Sequence, residues 1–247
     1  RRYSPVQTLG GGEVLDPQPV KHRRFRAEVL ETLRGLGQDD PTKVLELRLK
    51  TAGFGPRSMQ ALASEMGVAP ADLEDRLQTL LEGGRAVTFR HAGQDVYLYT
   101  DAWQDLLECI QTSLGAFHSA HPLRPGILRN ELRLQVDWAP PAEVYEQGIE
   151  YLLQTERLKA DGPLLSLADH RIRLSEEQER LRGNIRTLLR EAKAVPPDLQ
   201  VLASKVADDL EEVGAVVAAM QAIGDLVRLE ETLIFDPDVL TEVEQAL

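Results

Sequence analysis

One pattern occurs three times along this chain: a helix with a single apolar face, followed closely by two short strands. In each copy the apolar side chains stand at the i, i+4 and i+7 positions, which lie on one face of a helix. They are Leu73, Leu77 and Leu80 in the first copy, Tyr145, Ile149 and Leu152 in the second, and Val213, Val217 and Met220 in the third. The copies are roughly 70 residues apart, which exceeds the usual spacing of solenoid repeats and is typical of a small domain.

The segments that follow these helices predict three β-hairpins, at residues 87–99, 158–167 and 226–235. Each hairpin consists of two β-prone runs separated by residues that favour turns. In the first hairpin we predict strands at 86–89 and 96–99, joined by a loop at 90–95. Gly162 lies in the turn of the second hairpin.

More than one helix is predicted before a hairpin. In the third copy, Ser175 and Gln178 form a capping-box pattern that begins a helix running to about Lys193. The other predicted helices are 42–50 and 58–66 in the first copy, 101–110 after the first hairpin, and 199–206 and 210–223 in the third copy. Helices followed by a hairpin are the order of a winged helix. The sequence therefore predicts a mainly α fold with small β-hairpins (α+β), built as tandem winged-helix domains in an elongated array.

The predicted domain boundaries follow from this pattern. Winged helices are expected at 39–100, 101–170 and 171–236. Residues 1–17 are short, glycine-rich and β-like, as expected for the closing strands of a truncated β domain, and 18–38 form a basic linker and helix. Residues 237–247 begin a further helix, which predicts the start of a truncated fourth winged helix. The chain begins with arginine rather than methionine, so we expect it to be a fragment of a longer protein.

The charge of the chain disfavours general nucleic-acid binding. It has 40 acidic and 28 basic side chains, a formal net charge of −12, and affinity for phosphate needs positive surface. Two local basic groups are the candidates for contact with an RNA backbone: Lys21, Arg23, Arg24 and Arg26 before the first helix, and Arg182, Arg186 and Arg190 on one face of a later helix. The alternative for the second group is a solvated surface with ion pairs to Glu176, Glu179 and Glu191.

The third helix of each unit is acidic, although this is the helix that enters the groove in winged helices that read nucleic acid. The carboxylates are Asp72, Glu74, Asp75 and Glu82 in the first unit, Glu143, Glu146, Glu150 and Glu156 in the second, and Asp208, Asp209, Glu211, Glu212 and Asp225 in the third. The predicted third wing adds Glu230 and Glu231. These surfaces would repel phosphate, which favours a packing role for the repeated fold.

No residue pattern points to catalysis. Gly10-Gly11-Gly12 is not a phosphate-binding loop, because such a loop ends in Gly-Lys and the chain has no such pair, so we expect no GTP binding by this fragment. His118 and His121 lack a carboxylate neighbour for a metal site. The lone Cys109 excludes a disulfide framework and lies in an apolar run, which predicts a buried, inert thiol. We therefore expect no catalytic, cofactor or metal site in the fragment, and a cytoplasmic location because no signal peptide is evident.

Two segments resemble a known family. The first contains Tyr3, Ser4, Pro5, Gly10, Gly11, Gly12, Asp16 and Pro17, and the second contains His121, Pro122, Leu123, Arg124 and Gly126. The first is similar to the closing strands of the third, β-barrel domain of bacterial selenocysteine-specific elongation factors. The second is similar to a motif in the second winged helix of that family.

The resemblance implies a parent protein with a GTPase domain that uses GTP and magnesium, two β-barrels and about four winged helices. Such a factor delivers selenocysteinyl-tRNA to the ribosome, and its last winged helix binds the selenocysteine-insertion hairpin of the mRNA at a recoded UGA codon. This chain would be the arm between those parts, without a membrane contact and monomeric by itself. The alternatives are a tandem winged-helix DNA-binding transcription regulator, which needs a basic recognition helix, and a protein-binding scaffold that uses the acidic faces.

Overall fold

The computed structural model describes residues 2–3, 6–7, 10–12, 26–37, 40–136, 140–192, 195–206, 209–229 and 233–246. The fold is mainly α with small antiparallel sheets of two or three strands, which confirms the predicted class. The chain divides into two compact units, Arg1–Glu108 with Trp138–Glu150 and Cys109–Asp137 with Tyr151–Leu247. Within the described ranges, no helix is both long and apolar enough to cross a membrane.

Helices alternate with short strands along the chain. The helices are α1 (Ala27–Leu36), α2 (Pro41–Thr51), α3 (Met59–Met66), α4 (Glu74–Glu82), α5 (Thr100–Ala120), α6 (Arg129–Gln135), α7 (Ala142–Gln154), α8 (Glu176–Ala192), α9 (Leu199–Val206), α10 (Leu210–Ala222) and α11 (Pro237–Ala246). The strands are β1 (Arg2–Tyr3), β2 (Val6–Gln7), β3 (Arg57–Ser58), β4 (Ala86–His91), β5 (Gln94–Tyr99), β6 (Ile127–Leu128), β7 (Leu158–Asp161), β8 (Leu164–Leu167), β9 (Val227–Arg228) and β10 (Ile234–Phe235). A 3₁₀ turn at Pro70–Leu73 precedes α4.

The first repeat contains α2, β3, α3, α4, β4 and β5, in the order of a winged helix. Its helices begin at polar caps: the Asp40 side chain accepts hydrogen bonds from the first turn of α2, and the Ser58 hydroxyl accepts one from the Ala61 amide in α3. The apolar faces of α2, α3 and α4 meet in a core that contains Leu45, Leu49, Leu62, Leu77 and Leu80. The predicted apolar face of α4 is therefore the face that the repeat buries.

The wing of the first repeat differs from its prediction. The strands β4 and β5 run to His91 and from Gln94, so the predicted loop at 90–95 is wrong. Ala92 and Gly93 alone form the turn, and both have positive φ, 48° and 80°. Such a two-residue turn matches the twist of the paired strands, which extends the ladder by two residues on each side. The short strand β3 joins the sheet on the other side of β5.

The second repeat has α5, β6, α6, α7, β7 and β8, with the sheet order β6-β8-β7. Helix α5 is longer than predicted and extends ten residues past the expected end at Ile110, to Ala120. Cys109 lies on this helix and is half-buried, so the prediction of a buried thiol is wrong. Helix α7 ends at Gln154, and Glu156 takes a left-handed φ of 55° before β7 begins.

The third repeat begins at the predicted capping box. The Gln178 amide donates to the Ser175 hydroxyl at 3.2 Å, and the Ser175 amide donates to the Gln178 side chain at 3.0 Å. The core below this helix contains Leu181, Ile185 and Leu189 of α8. Residues of α9, α10 and the wing complete the same core, among them Leu202, Val213, Val217, Met220 and Ile234.

Candidate functional site

At the starts of α4 and α10, the described acidic residues lie on the surface, as the sequence indicates. Glu74 and Asp75 are exposed at the start of α4, and Glu211 and Glu212 are exposed at the start of α10. In a winged helix that reads nucleic acid, this part of the fold approaches phosphates and base edges. Carboxylates at these positions disfavour that contact, because they repel phosphate and add no hydrogen-bond donor.

The amino-terminal candidate residues are only partly described. Lys21, Arg23, Arg24, Ser4, Pro5, Asp16 and Pro17 lie outside the described residues, as does the side chain of Tyr3. Gly10, Gly11 and Gly12 are exposed, with no atom near the position of an added Cβ. Arg26 is exposed immediately before α1.

The predicted arginine face of α8 forms ion pairs. The Arg182 Nη2 atom lies 2.6 Å from an Asp225 carboxylate oxygen. The Nε atoms of Arg186 and Arg190 lie 3.0 Å and 3.1 Å from the same oxygen of Asp236. Of the predicted partners, Glu179 also contacts Arg182, at 3.0 Å. The three arginines therefore connect α8 to the wing and to the residue before α11.

Asp236 has an unusual environment for a carboxylate, since it is fully buried. Burial by itself would raise its pKa, but hydrogen bonds from Arg186, Arg190 and the Asp238 amide hold the pKa below its usual value. The Asp238 amide donates to the second oxygen of Asp236 at 3.0 Å, so the same side chain caps α11. Asp236 thus joins the arginines of α8 to the start of α11.

The segment that carries the second family motif is a turn between α5 and β6. The Arg124 amide donates to the His121 carbonyl at 3.0 Å. Leu123 packs against the core of the third repeat. At Gly126, an added Cβ would lie 2.5 Å from the Leu165 carbonyl oxygen in β8. The motif therefore shapes the turn, places an apolar side chain on the neighbouring repeat and lets β6 approach β8.

Replacing Gly126 with alanine should lower the free energy of unfolding by about 1–2 kcal/mol, because the methyl group overlaps a backbone atom that cannot rotate away. Urea unfolding measures the change. Gly183→Ala in α8 is the matched control, because no atom lies within 4 Å of its added Cβ. That change should stabilise the helix by up to about 1 kcal/mol. Destabilisation of both variants to the same extent would contradict the close approach of β6 and β8.

His118 pairs with a residue that the sequence did not connect with it. Its ring stacks on the ring of His170, with centroids 3.5 Å apart and an interplanar angle of 10°. The Leu167 amide donates to His118 Nε2 at 3.3 Å, so the neutral ring carries its proton on Nδ1. Burial, and then the neighbouring His170, lower the pKa of His118 to about 4, so this ring is uncharged at neutral pH. Among the described residues, no group of three side chains could hold a metal ion.

An open cleft of about 360 Å³ lies beside the histidine pair, between the end of α5 and the segment after β8. The polar side chains at its walls are His118, Ser119, Asp169, His170, Arg171 and Arg173. Pro122 of the family motif is part of the same wall. The cleft therefore brings a family-motif residue together with two arginines that sequence reasoning did not single out.

A family model and a known protein match this chain in sequence, and the protein matches almost its whole length. Residues 111–167 match the family model described as the winged helix of elongation factor SelB. A selenocysteine-specific elongation factor from Desulfomicrobium baculatum is 24% identical over 244 residues, which cover 98% of this chain. The resemblance to selenocysteine-specific elongation factors is confirmed. The chain spans only 38% of the length of this elongation factor.

A solved SelB structure was also found among the structural neighbours. It is the mRNA-binding domain of elongation factor SelB from E. coli in complex with SECIS RNA, with 14% sequence identity to this chain and a TM-score of 0.38. The match covers 53% of this chain and all of that domain.

Proposed function

We propose that this chain is an arm of a selenocysteine-specific elongation factor. The arm links the GTPase and tRNA-binding body to the winged helix that binds the selenocysteine-insertion hairpin of the mRNA during UGA recoding. The observation that carries the proposal is the sequence match to such a factor, which includes 98% of this chain. The selenocysteinyl-tRNA, the ribosome, and GTP with magnesium are partners of the whole factor in this proposal, and the arm itself catalyses nothing.

The surface of the winged helices favours a role in connecting two parts of the factor over a role in recognising nucleic-acid sequence. Exposed carboxylates stand at the starts of α4 and α10, where a reading helix needs donors for phosphates and bases. The arginines of α8 are held by Asp225 and Asp236. Because these basic groups already have carboxylate partners, the third repeat uses them to fix its own structure.

The alternative of a DNA-binding transcription regulator is not favoured. It requires a basic recognition helix, and the described parts of α4 and α10 present acidic surfaces instead. The sequence relatives are elongation factors. A protein in the cytoplasm, where translation occurs, is the consistent setting for the proposed arm.

This chain should bind the selenocysteine-insertion hairpin weakly and without sequence preference. Phosphate contacts give affinity without specificity, and base-edge contacts, which give specificity, need donors that the acidic helices lack. We expect a dissociation constant in the micromolar range or weaker, as for non-specific sites, that rises steeply with salt. Fluorescence titration of the labelled hairpin and of a scrambled hairpin, at two salt concentrations, measures both properties.

The full-length Desulfomicrobium baculatum factor is the positive control, with its own hairpin. It should bind with a dissociation constant on the order of 10⁻⁸ M, as is typical of specific nucleic-acid sites. Tight and selective binding by the present chain would show that the acidic helices do not prevent reading. Failure of the control factor to bind its hairpin would remove the basis of the proposed function.

A further inference from the structure

The arginines of α8 differ in their partners from those of the segment that connects β8 to α8. Arg182, Arg186 and Arg190 each contact a carboxylate. At the cleft beside the histidine pair, the Arg171 Nη1 atom donates to the His170 carbonyl at 3.0 Å. Within the described residues, neither Arg171 nor Arg173 forms an ion pair, and both are exposed. These two guanidinium groups therefore keep most of their donors available for an anion.

The backbone places both arginines at the same cleft. Residues 170–175 are neither helix nor strand and connect β8 to α8. Arg171 and Arg173 are two positions apart in this irregular segment. Both line the cleft together with Ser119, on the last turn of α5. The site is thus formed by a helix end and an arginine pair.

The charges that face the cleft favour an anion. Asp169 is the one carboxylate among the described side chains of its wall, against two guanidinium groups. His118, which also lines the cleft, is uncharged at neutral pH. The remaining wall includes Pro122 and Leu167, which add no charge. The wall therefore carries a net positive charge in a chain whose formal net charge is −12.

We propose that this cleft binds a phosphate group of an RNA backbone, a contact that rests on the proposed role of the chain in translation. Guanidinium groups bind phosphate through paired N–H donors, which gives the contact a defined geometry. The cleft is open along one side, which suits a continuous strand better than a small enclosed ligand. Its volume of about 360 Å³ admits a phosphate together with its sugar.

The test compares RNA binding by variants of the whole chain. A labelled RNA hairpin of arbitrary sequence is titrated at low salt with the wild type, with the double variant Arg171→Gln/Arg173→Gln, and with Ser119→Glu. The first variant removes the donors, and the second places a carboxylate in the cleft without touching either arginine. We expect each to weaken binding at least about fivefold, and the double variant to reduce the salt dependence by the equivalent of one or two phosphate contacts.

Two control variants carry the same changes of charge elsewhere. Arg76→Gln/Arg90→Gln removes two positive charges from the first repeat. Thr112→Glu adds a carboxylate to the same helix as Ser119, at an exposed position two turns away. Both should change the affinity less than about twofold, because neither change alters a residue that lines the cleft. Circular dichroism checks that all variants keep the helical content of the wild type.

The outcomes separate this proposal from the proposed function. The cleft proposal would be overturned if the cleft variants and the control variants weakened RNA binding equally, or if the chain bound no RNA at low salt. Neither result contradicts the proposal that the chain is a linking arm. Loss of inorganic phosphate binding in the cleft variants, with RNA affinity unchanged, would assign the cleft to free phosphate and overturn the RNA contact. If the wild type bound RNA tightly and with sequence selectivity, and the cleft variants abolished that binding, the result would support phosphate binding at the cleft. It would contradict the proposal that the arm does not recognise RNA sequence.

Discussion

Replacing Asp236 with alanine should lower the free energy of unfolding of the third repeat by about 2–4 kcal/mol. The change removes charge-assisted hydrogen bonds, each typically worth about 1.5–3 kcal/mol, and a helix cap worth about 1 kcal/mol. It also leaves Arg186 and Arg190 facing each other without the shared carboxylate. Their partial exposure lets water solvate them, which keeps the expected loss below the sum of these contributions.

Hydrogen exchange measures this effect, because it reports the opening of each repeat separately. Amides of α8 and β10 should exchange faster in the variant, while those of α2 and β5 keep the wild-type rates. Asp238→Ala is the control: its side chain contacts the same arginines but is 69% exposed, and exposed pairs typically contribute about 0–1 kcal/mol. Equal effects of the two substitutions would contradict the role assigned to the buried carboxylate.

The second repeat should lose stability as the pH falls from about 6.5 towards 4. The folded state lowers the pKa of His118 from 6.5 to about 4, so between these values the unfolded chain binds a proton that the folded chain excludes. The contribution of the neutral His118 ring to the free energy of unfolding is therefore fully present above about pH 6.5. It decreases progressively as the pH falls towards 4. A shift of this size corresponds to at most about 3 kcal/mol.

Urea unfolding at a series of pH values tests this expectation. His118→Phe keeps an aromatic ring against His170 but has no group to titrate, so the stability of this variant should lose most of the pH dependence between 6.5 and 4. His91→Gln, in the wing of the first repeat, is the matched control and should retain the wild-type dependence. Parallel pH profiles for wild type and His118→Phe would show that His118 is not the responsible group.

Long elements with a clear period were predictable from the sequence, and very short ones were not. The apolar face of α4 and of the 3₁₀ turn before it could be predicted because Leu73, Leu77 and Leu80 repeat at helical spacing. Strands β3 and β6 contain two residues each, which is too short for an alternating pattern to appear. Their pairing with β5 and β8 depends on the fold of the whole repeat.

At the candidate site, the polar contacts between residues far apart in the sequence could not be predicted either. The spacing of Arg182, Arg186 and Arg190 correctly indicated one shared helical face, but local spacing suggested partners on the same helix. Asp225 and Asp236 lie far along the chain, and only the folded wing brings them to α8. The stacking of His118 on His170 is equally non-local. Arg171 and Arg173 were missed because an irregular segment gives arginines no distinguishing pattern.

The position of Asp236 has a mechanical consequence. A single residue separates Phe235, the end of β10, from Pro237, the start of α11. Flexible linkers absorb rotation in their free backbone torsions, but here the one intervening side chain is buried and held by two guanidinium groups of α8. A rotation of α11 is therefore transmitted directly to α8 through Asp236. The third repeat would then rotate together with α11.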